Sequence, residues 1–470
     1  MGYIIAICLY LAALVVYGLI VAKKKVRTTD DMMTGSHKIP YIILVGSLLA
    51  TWCGGGGITG SAGVIYSGGP LLGLVHFAGA PVGIILLYFI AGRVRRTNKV
   101  TVPEIMEARY GKTAGIVAAV CIMIAYVGVV ATQLKASANI IQLLFQASGK
   151  TVSYAGALIV CCVIVAIITV CGGLVSVAYS DAISALLMLG GFAIAIPFLV
   201  IAANKAGAVM PAAKMTISGG YSFTYILGLV IPTLALILGD QNMLQRFASA
   251  KDSKEAKKSN VGMFVGELIV IGLTIAVVSQ ACRLYPSLKT PSNVIFQETV
   301  DYLPFVIGAI MMCACMAFIV TTADSFLLSA ATNLSNDIYA KYINKNATDK
   351  QKMSVLRWTI VAFSAISVLL TLYFPTVLTL QLTAYTMYGA AITPAILFAL
   401  FSKRVTPAAG LAGIIAGGAA TIIWTVLGTP GKIQCAIVAV PASVLAILIV
   451  MALTKPDPEH SLEKMYSAEA

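Results

Sequence analysis

The sequence predicts an all-α polytopic membrane protein of about 13 transmembrane helices, built as a five-plus-five inverted repeat whose halves each begin with a broken helix. Three observations lead there. Hydrophobic residues make up 59% of the chain and charged residues only 11%, against about 25% charged in soluble proteins. Apolar runs of roughly 18 to 30 residues recur from end to end, and a helix needs about 20 such residues to cross the hydrocarbon; the short alternating segments of a membrane barrel are absent. Two of these runs are interrupted by helix-breaking residues, and they lie five spans apart.

The expected spans run about 3–21, 41–66, 71–92, 114–144, 153–171, 174–202, 221–247, 261–282, 300–330, 354–374, 376–401, 406–427 and 434–454. The chain reads as one membrane domain: an extra first span with its loop (1–40), a first repeat (41–202), a second repeat (203–401), then two additional spans and a short tail (402–470). The first run resembles a signal peptide, but Lys23, Lys24, Lys25 and Arg27 follow it in place of a small-residue cleavage site. It is expected to stay as a span.

The net charge of +14 does not mark a nucleic-acid surface, because the charges are sorted. Of 32 Lys and Arg, 25 fall in or beside five loops (22–40, 93–113, 248–260, 331–353, 402–405) and the tail after 454, all on one face. Six lie on the other face, and Lys135 alone reads as lying well inside a span. Positive-inside sorting then places the protein in the plasma (inner) membrane with the N-terminus outside and the C-terminus cytoplasmic, its basic face meeting lipid headgroups. The ten cysteines include no CxxC pair and read as small buried hydrophobes. His37, His76 and His460 are too scattered for a catalytic or metal cluster, and no HExxH or Ser/His/Asp set suggests an enzyme. No obligatory protein partner is evident.

The second span contains Gly54-Gly55-Gly56-Gly57 and the seventh Gly239-Asp240-Gln241-Asn242. Glycine costs about 1 kcal/mol in a helix relative to alanine, and a broken helix in lipid persists only where its freed backbone faces a cavity or an ion. Paired breaks in corresponding halves point to the binding site of an inverted-repeat transporter; close helix packing at glycine is the plainer alternative. A sodium ion needs hard oxygen ligands, and the ninth span offers hydroxyls in Phe318-Ile319-Val320-Thr321-Thr322-Ala323-Asp324-Ser325. Thr321 and Ser325 share a helical face, as do Phe318 and Thr322.

Intramembrane acids default to functional candidates: Asp181 in the sixth span, Asp240 at the seventh-span break, Asp324 in the hydroxyl cluster, and Glu267, read as close to the inner interface. Lys135 either snorkels outward or meets an acid, Asp240 or an acidic group of the solute; a cavity holding Lys135 and Asp240 would suit a zwitterion or a carboxylate.

The chain resembles the sodium:solute symporter family over roughly residues 1–430. The resemblance rests on Thr101-Val102-Pro103-Glu104 through Glu107, on Arg109-Tyr110-Gly111, on the Gly172–Asp181 segment, on Gln245-Arg246-Phe247, and on Thr321 through Asn336-Asp337-Ile338-Tyr339. It implies sodium-coupled symport of a small polar organic solute, a carboxylate or amino-acid-like compound, by alternating access. It also implies a sodium site of the Ala50, Cys53 and Phe318 carbonyls with the Thr321 and Thr322 hydroxyls, and a second sodium site at Asp181, Thr321, Asp324 and Ser325. Thr51-Trp52-Cys53-Gly54-Gly55-Gly56 and Gly172-Gly173-Leu174-Val175-Ser176-Val177-Ala178-Tyr179 are similar to the choline-transporting branch, where aromatic faces hold a quaternary ammonium. The matching positions here are Trp52, Tyr126, Asp240 and Gln381, too few aromatics for a cage. Thr51, Trp52, Tyr126, Lys135, Asp240 and Gln381 are therefore expected to line the solute site. Choline-like uptake and proton-coupled transport are the alternatives.

Overall fold

The computed structural model describes residues 1–25 and 39–467, so the expected inner loop at 22–40, including Lys38 and Arg27, lies mostly outside the described residues. Among the described residues all regular structure is helical. Among the described residues twelve helical stretches are long and apolar enough to cross a membrane, and the bent pair Tyr41–Trp52 and Gly56–Gly68 brings the count to 13. In order the spans are Gly2–Val21, the bent pair, Pro70–Arg96, Lys112–Ala147, Tyr154–Cys171, Leu174–Lys205, Phe223–Ala248, Ser253–Leu284, Phe305–Ile343, Asp349–Tyr373, Val377–Phe401, Pro407–Val426 and Cys435–Leu453.

Hydropathy places these helices and polar side chains end them. Ser153 and Ser222 accept hydrogen bonds from Gly156 and Tyr225 N–H and so cap the fifth and seventh spans. Thr348 with Gln351, and Thr376 with Thr379, form reciprocal caps at the tenth and eleventh. Burial then sorts the spans. In the most apolar stretch of the fourth and eleventh, 78% and 83% of residues are buried, against 22% in the first and thirteenth. The inner bundle is thus wrapped by lipid-facing helices, whose outer residues, such as Leu186 and Leu369, are exposed.

Small residues let the inner helices touch. A Cβ on Gly46 of the second span would lie 2.6 Å from the Ala182 Cα of the sixth, and one on Gly417 of the twelfth 2.1 Å from the Ala390 carbonyl oxygen of the eleventh. On the basic face, Thr101 caps the short helix Val102–Tyr110 and donates from Oγ1 to Asp337 Oδ1 at 3.1 Å. Lys341 reaches Glu107 at 3.1 Å and Glu104 at 3.5 Å. Two motifs more than 230 residues apart thereby close on one another.

The structure departs from the sequence reading in two places. The eleventh span is also broken, into Val377–Ala391 and Thr393–Phe401, because Pro394 has no N–H to continue the ladder. The ninth span starts at Phe305 and ends in a π-helical stretch, Asn333–Ile343. The preceding Val294–Tyr302 is a separate helix outside the spans.

That helix buries Glu298 completely, and neither carboxylate oxygen has a hydrogen-bond partner among the described residues. Burial raises its carboxyl well above the usual range, so the folded protein holds a proton there that the unfolded chain has released. Stability is expected to fall as pH rises from the unfolded carboxylate value toward the folded one. Glu298→Gln should raise the melting temperature at neutral pH and lose that gain near pH 4.5, as thermal unfolding across pH will register.

Candidate functional site

The second span ends its first helix at Trp52, passes through Cys53–Gly55, makes a π-turn over Gly56–Gly60 and resumes as Ser61–Gly68, with a bend of 56°. The freed Gly55 N–H donates to Gln133 Oε1 on the fourth span, a partner the sequence did not reveal. Gly54, Gly55 and Gly56 are required by close neighbours rather than by dihedral angle, while Gly57 faces open space. A Cβ on Gly54 would meet Thr322 Oγ1 at 2.6 Å, and one on Gly56 would meet the Gln381 amide at 2.3 Å. Glycine here draws the ninth and eleventh spans against open backbone.

The ninth span presents its hydroxyls to this break. Thr322 Oγ1 donates to the Ala50 carbonyl at 2.8 Å, Thr321 Oγ1 to the Phe318 carbonyl at 3.4 Å, and the Thr51 and Ser325 hydroxyls lie 3.4 Å apart. Ala50, Phe318, Thr321 and Thr322 are all buried. The result is a cluster of neutral oxygens, the donor type a hard monovalent cation takes. Among the described residues no three His, Cys, Asp or Glu side chains gather as a metal site.

The acids of the implied second sodium site meet a buried charged network that joins this cluster at Ser325. Asp181 Oδ2 lies 3.2 Å from Arg246 Nη2 and accepts from Ser47 Oγ at 2.6 Å. Arg246 also donates to Ser47 Oγ, Ser325 Oγ and the Asn242 carbonyl at 2.8, 2.9 and 3.1 Å. Arg246 is 1% exposed, which corrects the reading of Lys135 as the lone cation within a span. Asp181 thus already faces a guanidinium, as does Ser325. Asp324 stands apart with Thr321 and Ser180 beside a small cavity.

Behind the break lies a second cavity, lined among others by Trp52, Cys53, Ser61, His76, Glu267, Gln381 and Tyr385. Its free volume is about 30 Å³, enough for water and too small for an organic solute, so this conformation is closed around it. Trp52 stacks on Tyr385 with centroids 5.9 Å apart. Trp52 and Gln381 are the two expected lining residues that reach this cavity; the other four do not. Thr51 turns toward Ser325. Tyr126 donates to Asp240 and stacks on Tyr388, so these two expected cage positions form a polar knot at the seventh-span break. Lys135 donates to the Thr371 and Phe374 carbonyls at 3.1 and 2.7 Å, away from both Asp240 and the cavity.

Of the other residues on this cavity, Glu267 was named from sequence as an intramembrane acid, whereas Ser61 and Tyr385 were not singled out and His76 was noted only as a scattered histidine. The helix that carries Glu267 begins at Ser253 with two charged and polar turns, and Glu267 lies 14 residues along it, buried against the second span.

Comparison with known proteins agrees with this architecture. The model of the sodium:solute symporter family matches residues 33–417. The osmoregulated proline transporter OpuE of Bacillus subtilis is 25% identical over 449 residues, covering 90% of this chain and 89% of its own. The human high affinity choline transporter 1 is 25% identical over 418 residues, covering 83% and 70%. A Na+-coupled sialic acid symporter, solved substrate-bound and outward-open, superposes with a TM-score of 0.78 at 20% identity, covering 97% of this chain and 98% of its own. A nucleobase-cation-symport-1 family transporter superposes at 0.59 and 12% identity, covering 93% and 98%. These relatives are transporters and not enzymes, and with a family model matching well over half its length, the chain belongs to the sodium:solute symporter family.

Proposed function

We propose that this protein couples the sodium gradient to uptake of a small, amino-acid-like organic solute by alternating access, with the N-terminus outside and the C-terminus cytoplasmic. One observation carries the reading. The turn at residues 50–53 supplies backbone oxygen beside Thr322 on one side and the Trp52 and Cys53 side chains to the organic cavity on the other. Sodium at the Ala50, Cys53 and Phe318 carbonyls with Thr321 and Thr322 would fix the geometry of that turn, and with it one wall of the solute pocket.

Solute then binds best when sodium is present, which is what coupling requires. A second sodium near Asp181 would have to displace Arg246, so one ion per cycle is the simpler stoichiometry. The stacked Trp52 and Tyr385 faces favour a choline-like solute as the second reading. Proteoliposomes separate the driving forces. An inward sodium gradient should drive uptake at constant pH, and an inward proton gradient without sodium should not; uptake under the proton gradient alone would refute the sodium reading.

A further inference from the structure

Glu267 is 1% exposed, in the middle of a membrane helix, and is held as an acceptor at both oxygens. Oε1 accepts from Trp52 Nε1 at 3.0 Å and Oε2 from Cys53 Sγ at 3.3 Å. No ion pair among the described residues includes it. Arg246 and Lys135 are engaged elsewhere, on Asp181 and on the Thr371 and Phe374 carbonyls. An acid in lipid without a counter-charge is costly and marks a pathway, and two neutral donors offset only part of the desolvation.

Two further polar atoms on the same cavity lack partners. They are Gln381 Oε1 and His76 Nδ1, on side chains 5% and 4% exposed. His76 Nε2 lies 2.9 Å from Ser61 Oγ, and Ser61 donates its hydroxyl proton to the Gly56 carbonyl at 3.4 Å. In the tautomer that donates from Nε2 to Ser61, Nδ1 is free to accept. The cavity offers one carboxylate and two neutral acceptors beside an aromatic wall.

We infer that Glu267 seats a cationic nitrogen of the transported solute, and that this nitrogen bears hydrogens: a primary or secondary ammonium. A quaternary ammonium has no N–H for Gln381 and His76, and a carboxylate without a cation would be repelled by Glu267. The inference rests on the proposed function, because it takes this cavity as the solute's.

The test is thermal stabilisation of the purified full chain, with and without sodium. The probes are a size-matched panel of small primary and secondary amines and amino acids, their fully N-methylated quaternary analogues, and nitrogen-free carboxylates. Sodium-dependent stabilisation is expected from N–H-bearing members alone. Glu267→Gln should weaken their binding about a hundredfold while stabilisation by sodium alone persists. Glu267→Asp, which keeps the charge, should recover much of it. Should Glu267→Gln fail to fold, the panel on the unsubstituted protein still decides the solute class. Equal or better response to quaternary compounds or nitrogen-free carboxylates overturns the inference. So does unchanged binding in Glu267→Gln, or no response to any N–H compound while sodium still stabilises. Absence of any sodium effect would instead overturn the proposed function.

Discussion

Arg246→Ala is expected to cost about 3–5 kcal/mol of stability and to abolish uptake, because it strands a fully buried carboxylate. Asp181 is 0% exposed, and its one cationic partner at 3.2 Å is this guanidinium. The same side chain donates to Ser47, Ser325 and the Asn242 carbonyl, tying the second, sixth, seventh and ninth spans together. Removing it therefore loosens four spans at one point. Thermal unfolding of the purified protein will show a large drop. The paired change Arg246→Met with Asp181→Leu should recover part of it, since two matched apolar side chains leave no charge uncompensated. An unchanged melting temperature in the single variant would mean that water reaches Asp181 and that the pair is not the clasp described.

Thr322→Ala is expected to raise the sodium concentration for half-maximal uptake about tenfold, equivalent to about 1.4 kcal/mol of lost ion binding. Thr322 Oγ1 of the ninth span donates to the Ala50 carbonyl of the second at 2.8 Å. Alanine removes a proposed sodium ligand and leaves that carbonyl without its donor. Thr322→Ser keeps the oxygen and should restore near-normal sodium dependence, which separates ligation from packing of the methyl group. A sodium dependence equal to that of the unsubstituted protein in Thr322→Ala would place the ion elsewhere.

The spans were legible because lipid imposes a length and a polarity that no other environment demands, and every one of the 13 follows an apolar run of the sequence. The break at Gly54–Gly57 was legible for a local reason, since four glycines in a span have no stable helical alternative. The break at Ile392 was not, because Pro394 sits in a run whose hydropathy never falters. The hydroxyl cluster could be read from Thr321, Thr322 and Ser325 on one short segment. Arg246 could not be matched to Asp181, because 65 residues separate them and Arg246 lies at the edge of a basic loop. For Lys135 the sequence left two outcomes open, and the length of its side chain lets the ammonium reach the carbonyls at the end of the tenth span. Gln133 was opaque for a third reason: a glutamine folded against glycine backbone leaves no periodic trace.

The turn at residues 50–53 touches both the hydroxyl cluster and the organic cavity. A shared element of this kind makes the influence of one ligand on the other reciprocal. Whatever factor sodium contributes to solute affinity, solute must return to sodium affinity. The two equilibrium titrations, solute at fixed sodium and sodium at fixed solute, are thus one measurement made from opposite sides. On the proposed sites, loosening that turn would weaken the binding of both ligands together and the coupling between them.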